Sequence, residues 1–153
     1  MKPFAIAGCL LVVLVAAAMQ TTPDRKYIVV KRPGVVANPP FSQGVLVGNT
    51  LYVAGHIGID PATGKPGATP EEEAKLVMEA FKGSIEAGGL TMDDLVSVTV
   101  YCSDVNHYDA FNKVYRTYFH DNYPARAFIG SGKLLFDARF EIQGIAVKRA
   151  AGK

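Results

Sequence analysis

At 153 residues, with 49% hydrophobic and 20% charged side chains, the chain has the profile of one ordinary globular domain with a sizeable core. A formal charge of +2 is too small to argue for nucleic acid or an anionic membrane surface as a partner. The three histidines, His56, His107 and His120, are scattered and lack metal-ligand spacing, so no metal site is expected.

The chain opens on Met1-Lys2-Pro3-Phe4 and an unbroken small and apolar run, AIAGCLLVVLVAAA, that ends at Ala18. The run is shorter than the ~20 residues a membrane-spanning helix needs. With a lysine before it and Ala16-Ala17-Ala18 after it, residues 1–20 read as a secretory signal peptide cleaved near Ala18 or Gln20, with an uncleaved signal anchor as the alternative. Cys9 precedes most of the apolar run, which excludes a lipoprotein cleavage box. Cleavage leaves Cys102 alone, so the mature chain forms no internal disulfide, and Cys102 is expected to be a buried, inert thiol. A functional leader places the protein in the periplasm or outside the cell, without stable membrane association after cleavage; a non-functional one leaves it in the cytoplasm.

Residues 21–153 then read as a single domain. Thr21 to Arg25 is a polar tether, Lys26 to Lys31 a short first strand, and RPGVVANPPFSQ a rigid extended loop punctuated by Pro33, Pro39 and Pro40. GVLVG and LYVAGHIGID form a hairpin around Gly48-Asn49-Thr50. Strict alternation in the second strand puts Leu51, Val53, Ile57 and Ile59 on one face and Tyr52, Ala54, His56 and Asp60 on the other.

After a turn at DPATGKPG, Thr69-Pro70-Glu71-Glu72 starts a helix with a threonine cap, proline in the first turn and a glutamate able to close a capping box. Ala74, Val77, Phe81 and Ile85 make one buried stripe, and Gly88-Gly89 stops the helix. LVSVTVYC is strand-like. Asn106 is expected to cap a second helix whose Tyr108, Phe111, Tyr115, Tyr118 and Phe119 form an aromatic stripe, read as core. Two closing strands follow, at Ala125 to Gly130 and Asp137 to Lys148.

Two helices and roughly six strands in this order imply an α+β fold, with both helices packed on one face of a single sheet. The other face stays open. Thr99, Tyr101, Arg139, Glu141 and Gln143 are assigned to it with Phe128 and Tyr52, and such a half-apolar face favours self-association.

The chain has no G-x-S-x-G, P-loop, dinucleotide fingerprint or C-x-x-C. What remains is a constellation: Arg126 opening one closing strand, Glu141 in the next, Asn112 on the second helix, and Gly55 interrupting the hairpin strand. A guanidinium binds a carboxylate through two parallel hydrogen bonds, and a carboxylate of raised pKa on the neighbouring strand can activate a water. The bland alternative is a solvated arginine and glutamate on an exposed sheet face.

PPFSQGVLVGNTLYVAGHIGIDPATG, DDLVSVTVYCSDVNHYDAFNKVY, YPAR and FEIQGIAVKR together resemble the Rid (YjgF-type) family of enamine and imine deaminases, from about Phe41 to Arg149. The resemblance implies a chorismate-mutase-like homotrimer with sites in the grooves between subunits. It also implies cofactor-free hydrolysis of 2-imino acids and 2-aminoacrylate-type enamines to 2-keto acids and ammonia. Arg126 then matches the arginine that binds the substrate carboxylate, and Glu141 the glutamate that positions the attacking water. Phe41, Ala54, Gly55, Asn112 and Phe128 match substrate-binding positions.

Three of these depart from the family pattern: Phe41 stands for a tyrosine, Ala54 for a serine or threonine, and Phe128 for a cysteine. Each makes the pocket less polar, which suits a bulkier imino acid or, alternatively, a relative without activity. His56 stands where glutamine is common, and GSGKLLFD departs from the usual last connection. The competing reading is a non-catalytic relative that binds a small carboxylate or a protein in the same groove. A chorismate-mutase-type rearrangement ranks last, for want of a second cationic clamp.

Overall fold

The computed structural model describes residues 23–30, 39–120 and 122–149. The leader at 1–20 and the proline-punctuated segment at 31–38 lie outside the described residues. Among the described residues no helix is long and apolar enough to cross a membrane.

Eight main elements follow one another: β1 (Arg25–Ile28), β2 (Gly44–Val47), β3 (Thr50–Ile57), α1 (Pro70–Ala87), β4 (Leu95–Cys102), α2 (Tyr108–Tyr115), β5 (Ala125–Gly130) and β6 (Phe140–Val147). The strands form one sheet in the order β1-β2-β3-β6-β4-β5. Every pairing is antiparallel except β4 with β5, whose parallel arrangement needs a crossover, supplied by α2. The expected α+β architecture is therefore present. β2 and β3 are joined by the two-residue turn Gly48-Asn49, with Gly48 at φ 60°, a conformation open to glycine at little cost.

α1 starts as its sequence dictates. The Glu72 backbone N–H donates to Thr69 Oγ1 and the Thr69 N–H to Glu72 Oε2, both at 3.2 Å, which satisfies two otherwise orphaned donors. Its stripe of Ala74, Val77, Phe81 and Ile85 is wholly buried against the sheet. Each of the three larger side chains there contributes about 1.5–3 kcal/mol by leaving water. α2 is shorter than expected. Asp104, rather than Asn106, is the capping side chain: it accepts from the Asn106 N–H at 2.9 Å and starts a 3-10 turn that runs into the helix. Of the aromatic stripe, Phe111, Tyr115 and Phe119 are buried, whereas Tyr108 is 45% exposed.

Four expectations are corrected. First, alternation along β3 breaks, because Val53 pairs with Gly144 and His56 with Ile142. Ala54 and Gly55 thus face the single Gln143, a β-bulge that returns His56 to the helix side and sends Ile57 to the open side. His56 is buried there, with Nδ1 2.7 Å from the Ala54 carbonyl, Nε2 2.7 Å from Ser84 Oγ and its ring edge-on to Phe81.

Second, β5 and β6 are not neighbours, since β4 lies between them, so Glu141 is not on the strand beside Arg126. Third, β6 begins at Phe140, and Arg139 is not on the open face. Its guanidinium donates to Glu73 Oε2 at 2.7 Å and to the Gly67 carbonyl at 2.9 Å. The Glu73 carboxylate is wholly buried and also accepts from the backbone N–H groups of Arg139 and Phe140. Fourth, Phe128 lies on the helix side, edge-on to Phe111 at 5.6 Å and to Tyr108 at 5.0 Å between ring centroids.

Candidate active site

The parallel register of β5 on β4 pairs Arg126 with Val98 and Phe128 with Val100, both buried under the helices. Alternation then aims Arg126 and Phe128 at α2. Asn112 lies four residues beyond Tyr108 and three before Tyr115, so the three share one helix face. That face receives the arginine. Arg126 Nη2 donates to Asn112 Oδ1 at 2.7 Å, and the guanidinium carbon lies 4.5 Å from the centre of the Tyr115 ring. The rings of Phe128 and Tyr108 stand farther out, at 5.8 and 5.9 Å.

A neutral oxygen and aromatic faces orient a guanidinium without cancelling its charge. Among the described residues no carboxylate stands within ion-pair distance of Arg126. Burial pushes the Tyr115 phenol up to about 12, although the nearby Arg126 charge pulls the other way. The Tyr115 hydroxyl is buried without a hydrogen-bond partner among the described residues.

Glu141 belongs to the opposite face. It stands between Ile57 of β3 and Tyr101 of β4, while its neighbours Phe140 and Ile142 point into the core. The bulge makes room for it. A β-carbon on Gly55 would overlap Glu141 Oε1, so glycine is the residue that lets this carboxylate lie against β3. Burial raises the Glu141 pKa above 4.5, and no described donor is hydrogen-bonded to the carboxylate to oppose that shift. The Ala54 N–H donates to the Gln43 carbonyl at 3.0 Å, which ties the segment carrying Phe41 to the bulge. The Phe41 ring is 57% exposed.

The predicted site residues therefore fall into two groups. Arg126, Asn112 and Phe128 cluster on the helix side; Ala54, Gly55 and Glu141, with Phe41 nearby, cluster on the open side. Arg126 and Glu141 lie two strands apart, a lateral separation of about 10 Å, on opposite faces. Within one chain they cannot hold one small molecule between them. Sequence reading missed Tyr108 and Tyr115 as walls of the clamp, although their spacing around Asn112 carried that signal.

A family model described as Endoribonuclease L-PSP matches residues 31–148. This chain belongs to the Rid (YjgF/RutC) family. Among its Rid relatives, a RutC family protein of Pyrococcus abyssi is 40% identical over 110 residues, covering 71% of this chain and 87% of that protein. Human 2-iminobutanoate/2-iminopropanoate deaminase is 35% identical over 119 residues, covering 77% and 85% respectively. The crystal structure of Escherichia coli TdcF with bound serine superposes with a TM-score of 0.74 at 31% identity, covering 81% of this chain and all of that one. The Rid fold is thus the fold described above, and the relatives support a Rid-type function for this chain.

Proposed function

We propose that this protein hydrolyses 2-imino acids and their enamine tautomers to 2-keto acids and ammonia, in sites assembled between copies of a homotrimer. The observation that carries the reading is the unneutralised Arg126 guanidinium, held in place by Asn112 and Tyr115 with its charge left for a ligand. The human relative named as an imino-acid deaminase and the serine bound by TdcF, itself a small carboxylate, support a ligand of this kind.

In this reading the substrate carboxylate pairs with Arg126 of one copy, and Glu141 of the next copy holds the water. Water adds to the C=N carbon as its proton passes to the Glu141 carboxylate. That proton then goes to the nitrogen of the carbinolamine. The C–N bond breaks with its electron pair leaving on ammonia. The remaining hydroxyl becomes the keto oxygen as its proton passes to the now deprotonated Glu141 carboxylate and on to ammonia, which leaves as ammonium. Burial raises the Glu141 pKa, and a higher pKa makes the carboxylate a better proton acceptor for the attacking water. The iminium carbon is already electrophilic, so holding the acid and the water in register supplies much of the acceleration.

The division of the site between two faces gives a direct test. Arg126→Ala and Glu141→Gln chains, each inactive alone, are co-expressed in equal amounts and supplied with imines generated in situ by an amino-acid oxidase. Semicarbazide trapping reads the remaining imine. If each site takes its arginine from one copy and its glutamate from another, random mixing restores about a quarter of the unmutated activity. A mixed oligomer that stays inactive overturns the shared site.

A further inference from the structure

Resting on that reading, we infer that the site selects 2-imino acids with bulky apolar side chains, aromatic ones above all, and that Phe128 and Tyr108 determine the choice. The groups around the clamp carry the argument. Tyr115 covers one face of the Arg126 guanidinium at 4.5 Å, and Asn112 occupies one of its nitrogens. A carboxylate arriving at the remaining edge comes in beside Tyr108 and Phe128, whose ring centres lie 5.9 and 5.8 Å from the guanidinium carbon.

The side chain of a 2-imino acid begins one carbon from its carboxylate, so a ligand seated on Arg126 sets that side chain against these two rings. The rings are braced edge-on to each other at 5.0 Å, and Tyr108 is 45% exposed, its surface unclaimed by the chain's own core. A phenyl group finds there the edge-to-face partners that aromatic rings prefer at about 4.5–7 Å. A methyl group reaches little of that surface.

The other half of the site has the same character. Ala54 and Gly55 line the bulge without a side-chain donor, and Phe41, on the segment tied to the bulge through Gln43, is 57% exposed. Both halves thus present mainly rings and backbone. Of the polar side chains beside Arg126 and Glu141, Asn112 already accepts from the arginine, and Gln143 donates to the Tyr101 hydroxyl at 3.0 Å. A charged substrate side chain would be desolvated there without a charged partner of its own.

The test compares kcat/KM for imines made in situ from alanine, leucine, phenylalanine and glutamate, with the purified full chain. A single methylene in an apolar pocket changes such a ratio by about 10–200-fold, so the phenylalanine-derived imine is expected to exceed the alanine-derived one by at least ~10-fold. The glutamate-derived imine is expected to be the poorest of the four. Phe128→Ala and, independently, the more exposed Tyr108→Ala each compress the phenylalanine-to-alanine ratio several-fold, while Tyr108→Phe keeps it.

Equal or better turnover of the alanine-derived imine overturns the selectivity and leaves the deaminase reading intact. So does a ratio that neither alanine variant moves. Absence of turnover with every imine overturns both.

Discussion

The surroundings of Arg139 and Arg126 differ in one respect: the first has a carboxylate partner and the second, among the described residues, has none. Arg139 is matched to a wholly buried carboxylate, Glu73, which also takes two backbone N–H groups. Its charge is consumed inside the chain, where it ties the start of β6 to α1. Arg126 is held as firmly, but by an amide oxygen and three rings, and it keeps its charge. What identifies a ligand-binding cation is therefore what holds it: a carboxylate closes the account, whereas dipoles and aromatic faces leave it open.

Exchanging the roles is the strongest way to break that comparison. Arg126→Ala is expected to lower kcat/KM on the order of 10³-fold, because a charge pair with the substrate is lost. Its unfolding free energy should change by less than about 1 kcal/mol. Arg139→Met should do the reverse, costing about 3 kcal/mol in urea denaturation by stranding the Glu73 charge. Activity per folded molecule would be largely kept. Equal stability losses in the two variants would erase the distinction.

Gly55→Ala is next in size. Its β-carbon takes the space of Glu141 Oε1, so kcat should fall about 100-fold, as for other small displacements of a reacting group. Steady-state kinetics beside a melting curve would show the loss without unfolding. Asn112→Asp sharpens the comparison from the other side by giving Arg126 a carboxylate of its own. The substrate must then compete with it, and KM should rise about 10-fold.

The smallest effect concerns Glu141. Burial raises its folded pKa above 4.5, so the native state resists its ionisation. That group's contribution to stability is complete below its unfolded pKa and falls as pH rises through the folded value. Glu141→Gln should therefore match the unmutated protein in acid and be slightly more stable at neutral pH. The gain is small, because Glu141 is only partly buried and solvent screens its charge. Scanning calorimetry at several pH values would read it. In the proposed reaction the same shift moves the acid limb of the rate profile upward from where an unperturbed carboxylate would put it.

Local chemistry was legible in the sequence where it acts over a few residues. The capping box at Thr69 and Glu72, the buried stripe of α1, the turn at Gly48-Asn49 and the limits of β5 all follow from neighbouring side chains. The non-local features were not. That β4 separates β5 from β6 depends on which strands pair, and a bulge is a two-against-one count that needs its partner strand to be known. Gly55 inside a strand was the available hint of it.

Period-two alternation puts Arg139 on the open face only if β6 starts before Phe140, which it does not. Arg126, Asn112 and Phe128, each legible as a candidate in the sequence, lie together in the fold. That Glu141 stands on the other side of the sheet could not be read before the strand order was known.

The fit of the Glu141 carboxylate into the space beside Gly55 also constrains how this chain can change over generations. A β-carbon at position 55 displaces the end of the Glu141 side chain, and in the proposed reaction that end holds the water. A change at the glycine is therefore disfavoured for as long as that reaction is needed. A descendant with alanine at 55 and glutamate at 141 should be absent from any surviving lineage that still needs the reaction. One with both positions altered would carry the record of a function already abandoned.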